Sequence, residues 1–164
     1  MAIRQIAVQR FSVISSQRFE DVLAKIDAGI GRPDMRSFGK DVAAASTYLE
    51  LEEVIHKVIG KSGFMEFARF DLGQILRKES GKNAPKIVRI VAGNPLIMKQ
   101  MVEHVSDAGS YAPITILIDE RPDGVHLSYD RMASFLAPYE NEQVLKVAQD
   151  LDAKVEALLL TAAG

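Results

Sequence analysis

The sequence contains no cysteine. Disulfides, thiolate zinc sites and cysteine nucleophiles are therefore excluded, and the chain suits a reducing compartment. No window approaches 18 uncharged apolar residues, so the sequence offers no membrane-spanning helix and no membrane partner is expected. The N-terminus lacks the basic lead and apolar run of a signal peptide, which makes the cytoplasm the expected location. Charge of one sign is not in excess either. The formal net charge of −2 gives no reason to expect a polyanionic partner. Internal repeats and low-complexity segments are absent. What is there is a 164-residue chain, 48% hydrophobic and 26% charged, which is ordinary globular chemistry and long enough to bury a core as one domain.

The strongest local signal runs from Lys86 to Met98. Residues 87–92 are apolar and rich in β-branched side chains, which suits a buried strand. Gly93 supplies backbone freedom at a turn. Asn94 is a good N-cap, and Pro95 fits the first helical position, where no amide donor is needed. Each residue favours the same geometry: a strand, a sharp corner and a helix start.

The rest of the chain is read around that corner. Residues 3–14 predict a first strand, with a bulge near Phe11. Phe19, Val22, Leu23 and Ile26 then form a helical apolar stripe that Gly29 and Gly31 end. Residues 31–46, with Pro33 and Gly39, read as a long loop. Thr47 and Glu50 make a capping box for a helix to about Ile59. Residues 64–70 predict a second strand, and 71–79 a short helix capped by Asp71. After Pro95 a helix with Ile97, Met101, Val105 and Ala108 on one face is expected to end at Gly109. Residues 113–119 and 125–129 alternate as strands about the tight turn Arg121-Pro122-Asp123-Gly124. Met132, Phe135 and Leu136 form an apolar connection. A last helix over 141–162 carries the seam Val144, Ala148, Leu151, Val155, Leu158 and Ala162, suited to packing on a sheet or on another helix. The closing hairpin requires antiparallel pairing. The expected fold is α+β, a mostly antiparallel sheet with helices packed on one face.

Three pieces occur in order: Ala92-Gly93-Asn94-Pro95, then Ala112-Pro113-Ile114-Thr115-Ile116, then Gly124-Val125-His126-Leu127-Ser128-Tyr129. Together they resemble the domain-of-unknown-function 302 family, best over residues 64–136. The resemblance implies an α+β fold similar in topology to the TATA-box-binding protein, often as a homodimer, and implies no activity. Ala92 stands where the family has Phe, and Asp71-Leu72 where it usually has Asp-His. Against the compact family domain, residues 31–62 read as an inserted loop and helix within a single domain spanning 1–164.

Candidate chemistry is sparse. Asn94 could aim a helix N-terminus at an anion or simply cap a turn. Arg69, Asp71, Lys86 and Arg89 could converge if their strands pair, either as an anion site or as surface ion pairs. Tyr129 is placed for core packing or ligand contact. His56, His104 and His126 are isolated and form no zinc-binding pair. Asp119 and Glu120 point to opposite faces of a strand. Ser128 lies in no nucleophile elbow. The basic residues Arg77, Lys78, Lys82 and Lys86 form no extended cluster.

The ligand-binding candidates are thus Asn94, Arg89, Asp71, Tyr129 and His126, with no metal ligands, no assigned catalytic residue and the cofactor unknown. The leading reading is a non-enzymatic homodimer that binds a small ligand or a partner. A second is an acid–base enzyme whose residues Asp71, Arg89, Asn94 and His126 meet only in three dimensions. A weaker third is nucleic-acid binding across an open sheet.

Overall fold

The computed structural model describes residues 3–81 and 84–164, so Lys82 lies outside the described residues. The chain runs through β1 (Arg10–Ser15), α1 (Phe19–Gly29), α2 (Met35–Ala44), α3 (Tyr48–Val58), β2 (Met65–Asp71), α4 (Gly73–Ser80), β3 (Ile87–Gly93) and α5 (Pro95–Val102). A 3₁₀ turn (Ser106–Ser110) leads to the hairpin of β4 (Ile114–Arg121) and β5 (Gly124–Asp130), then α6 (Met132–Leu136) and α7 (Glu142–Ala163). The described strands form one sheet in the order β1-β5-β4-β3-β2, each neighbouring pair antiparallel. The fold is α+β. No described helix is long and apolar enough to cross a membrane.

Strand alternation divides the sheet into two faces. Val88, Ile90, Ile116, Ile118, Leu127 and Tyr129 form the buried face, against Phe19, Val22 and Ile26 of α1, Met101 of α5 and the seam of α7. Every expected seam position from Val144 to Ala162 is buried, and the seam meets both the sheet and neighbouring helices. On the opposite face, the register sets Ser12, Ser128, Leu117, Arg89 and Phe70 in one row across all five strands. Ser12, Arg89 and Phe70 in this row are exposed.

The corner forms as its residues dictate. Asn94 Oδ1 accepts from the Leu96 amide at 2.8 Å, and its side-chain amide donates to the Gly63 carbonyl at 2.9 Å. The capping box at Thr47 and Glu50 is present. The Arg121–Gly124 turn closes the hairpin, with Gly124 at φ 140°, a conformation that favours glycine.

Four local expectations are corrected. Residues 3–9 are not a strand. Arg10 already pairs with Asp130, the last residue of β5, so the preceding chain has run past its only neighbour. The β1 register is continuous at Phe11, and the bulge lies instead in β2 between Glu66 and Ala68. There the extra residue, Phe67, leaves the ladder and packs with a second cluster around Phe38, Ile55 and Met65. Within the expected loop at 31–46 lies α2, whose cap Asp34 accepts from the Ser37 amide at 2.7 Å. Phe38 and Val42 on α2 face α3 and complete that second cluster. Finally, α5 ends at Val102 rather than Gly109. The chain is extended at Val105 and turns again at Ser106–Ser110, which still buries Ala108. A stripe that continues through such a break reads as one helix.

Candidate functional site

The residues singled out from the sequence do not form one cluster. Asp71 ends β2, where it pairs with Arg77 at 2.5 Å and accepts from the Gln74 amide at 3.0 Å, so it caps α4. Arg69 bonds Asp27 and Glu66, and Lys86 bonds Glu20, so the expected convergence with Arg89 does not occur. His126 is buried in a different row of the open face, with Nε2 2.8 Å from Asp123 Oδ1. The acid–base arrangement of Asp71, Arg89, Asn94 and His126 is therefore not assembled. His56 is exposed on α3, and His104 is exposed in the turn after α5.

Asn94 has no capacity left for an anion. Pro95 carries no amide proton, the Leu96 amide bonds the Asn94 side chain, and the Ile97 and Met98 amides both bond the Asn94 carbonyl, at 3.1 and 3.0 Å. The helix N-terminus is thus closed by its own cap. Beneath it lies an apolar pocket of about 280 Å³, walled by Phe67, Ile97, Met98 and Met101.

Arg89 lines a cleft of about 440 Å³ on the open sheet face. Its floor is Leu117, Ser128, Thr115 and Arg89, drawn from three neighbouring strands. Arg10 and Asp130 close one side. The other is a wall of Tyr111 and Phe135, whose rings stack with centroids 4.8 Å apart and planes 13° from parallel. Tyr129 borders the cleft through its strand, but its side chain lies on the buried face of the sheet. Its hydroxyl turns into the core and donates to Asp152 Oδ1 at 2.7 Å. Burial, followed by the Asp152 charge, pushes that hydroxyl well above the ordinary phenol range, so it remains a donor.

The charges in the cleft do not balance. Arg10 holds Asp130 with a two-point ion pair at 2.6 and 2.8 Å. The hydrogen bond from Arg10 holds the Asp130 carboxyl below the usual carboxylate range. Arg89 makes no ion pair among the described residues. Its guanidinium carbon instead lies 5.9 Å from the Phe70 ring centroid, a weak cation–π contact that leaves its N–H groups available. Nor do the hydroxyls of Ser128, Thr115 and Ser110 have side-chain partners among the described residues. The cleft therefore offers one uncompensated cation, several free hydroxyls and an aromatic wall. Among the described residues, no three His, Asp or Glu side chains gather as metal ligands.

The sequence contained part of this site. The turn at Arg121–Gly124 fixes the hairpin register, and that register sets Leu117 opposite Ser128. Alternation then turns both toward the side where Arg89 points. Nothing in the sequence signalled that Tyr111 would stack on Phe135, or that Arg10 would neutralise Asp130.

The fold is that of an α+β protein built on a five-stranded antiparallel sheet. Residues 40–162 match the family described as domain of unknown function DUF302, and the chain belongs to that family. It is similar in fold to the crystal structure of an uncharacterized conserved DUF302 protein from Bacillus stearothermophilus. The TM-score is 0.64 at 10% identity, over 93% of this chain and 97% of that one. Comparison with curated proteins finds no match.

Proposed function

We propose that this protein binds a small anionic ligand on its open sheet face, without catalysis, and works as a homodimer. One observation carries the reading: Arg89 sits in a 440 Å³ cleft without an ion pair among the described residues, while the other arginine there is neutralised by Asp130. The volume falls within the range of about 300–1,000 Å³ usual for small-ligand sites. An arginine already held by a carboxylate serves the fold, whereas an unpaired one beside free hydroxyls suits a ligand's charge. Of the sequence candidates, Arg89 is the anchor, and Tyr129 serves the core. Asn94, Asp71 and His126 are structural. A non-enzymatic role is supported by the nearby carboxylate, Asp130, being held as an ion pair rather than free for proton transfer.

The homodimer draws support from apolar side chains left in solvent at one edge of the sheet. Phe70 on β2, Leu72 at the junction, and Ile75 and Leu76 on α4 are 36–72% exposed. In this reading residues 31–62 are an insertion in one domain, packed through Phe38 and Ile55 on Met65 of β2 as a second small cluster.

A thermal-shift screen of small carboxylates, phosphates and sulfonates tests the site in the wild type and in Arg89→Ala. Stabilisation of the wild type by at least one anion, lost in the variant, is expected. No stabilisation, or equal stabilisation of both proteins, overturns it. Sedimentation equilibrium tests the assembly, where a monomer at tens of micromolar protein would remove the homodimer.

A further inference from the structure

Resting on the anion site at Arg89, we infer that its ligand is a planar monocarboxylate, an aryl or conjugated carboxylic acid, rather than a phosphate. Charge is the first reason. The cleft holds one uncompensated positive charge, which a single carboxylate neutralises and a phosphate exceeds. Donor geometry is the second. A guanidinium presents a planar fork that matches a carboxylate in two-point contact. Phosphate sites add backbone amides at a helix N-terminus or a glycine-rich loop. The helix that opens beside this cleft is α6, and its first amides are already engaged. Met132 N and Ala133 N donate to the buried Asp152 carboxylate at 2.7 and 3.1 Å. No glycine lines the cleft.

The third reason is the wall. The Tyr111–Phe135 stack and the Leu117 floor present flat apolar surface within the same cavity as the cation. A flat ligand body gains contact there that an aliphatic or highly hydrated one does not. The free hydroxyls of Ser128 and Thr115 line the same cleft as the cation and can serve carboxylate oxygens that Arg89 leaves exposed.

The probes are 2-naphthoate, 1-naphthyl phosphate and acetate, titrated calorimetrically into the full chain at one ionic strength. The wild type is expected to bind 2-naphthoate more tightly than either other probe, by about tenfold or more. Arg89→Lys should weaken 2-naphthoate about tenfold, because an ammonium lacks the fork. Phe135→Leu should weaken 2-naphthoate while leaving acetate unchanged. Tighter binding of naphthyl phosphate, lost in Arg89→Ala, would overturn the carboxylate inference and leave the anion site standing. Equal affinities for 2-naphthoate and acetate, or a Phe135→Leu variant that binds 2-naphthoate as well as the wild type, would remove the planar body from the inference. If no probe binds, the anion site fails with it.

Discussion

Tyr129 and Asp152 meet in the core, 2.7 Å apart, one at the end of β5 and the other in the middle of α7. Asp152 has no exposed surface, yet its two oxygens accept from the Tyr129 hydroxyl and from the first two amides of α6. Arg131 approaches one of those oxygens at 3.6 Å. The carboxylate acts as a distant cap, tying the hairpin, the short helix and the long helix at one point. Buried charge is tolerable only when its hydrogen bonds are made, so the two partners should differ in cost. Tyr129→Phe removes one bond to a charged group, about 1.5–3 kcal/mol. Asp152→Ala removes the acceptor for buried donors and is expected to cost more, about 3–5 kcal/mol. Urea denaturation of both variants checks the order. Equal losses would show that the carboxylate is not the hub.

Glycines at two positions should respond to alanine in opposite directions. A Cβ on Gly31 would stand 1.8 Å from the Val58 carbonyl oxygen, and one on Gly60 would stand 2.4 Å from the Gly29 carbonyl oxygen. Backbone meets backbone there, where the chain leaving α1 passes the end of α3. Gly31→Ala is expected to destabilise by about 3 kcal/mol or more, or to prevent folding. Gly39 lies inside α2 with nothing within 4 Å of its Cβ position. Gly39→Ala should stabilise by about 0.5–1 kcal/mol, because alanine is the better helix former. Thermal melts of the two variants give the comparison. Loss of stability in Gly39→Ala would contradict the helix.

The Arg10–Asp130 pair fixes the edge strand and should show in the acid limb of stability. Arg10 lowers the folded pKa of Asp130 through its hydrogen bond and then its charge. A carboxyl lowered in the folded state contributes stability above its unfolded value, about 3.9, and that contribution is lost as pH falls through the folded value. Wild type and Arg10→Gln should therefore differ at pH 7, by less than about 1 kcal/mol for a pair this open to solvent. They should converge once pH falls below both values. A gap that persists or widens at low pH would mean that Arg10 acts by packing instead.

Agreement among neighbouring residues decided how much the sequence revealed. The strand at 87–92, Gly93, Asn94 and Pro95 all favour one geometry, so the corner was readable down to its cap. The hairpin about Pro122 and the seam of α7 were readable for the same reason. Residues 3–9 were not, because a strand needs a partner, and β5 ends at Asp130. The helix at Met35–Ala44 was hidden by Gly39 and by charges around a stripe reduced to Phe38 and Val42.

The candidate site was harder to read than the fold. Alternation identified Arg89 as facing away from the core, but its lack of a partner depends on where distant acids turn. Asp71 turns to Arg77 and Asp130 to Arg10, and neither choice is written near Arg89 in the chain. Asn94 could be read from its residue type as an anion site or as a plain cap. Only the closed set of bonds at Leu96, Ile97 and Met98 shows that the cap consumes every donor.

The most direct test of the Arg89 site is a two-dimensional NMR titration of the labelled protein with 2-naphthoate. Saturable shifts are expected at the Arg89 guanidinium and at the Leu117, Ser128 and Phe135 amides, and they should vanish in Arg89→Ala. Shifts confined to Gly93, Met98 and Met101 would place the ligand in the apolar pocket under the corner and contradict the account, as would no shift at all.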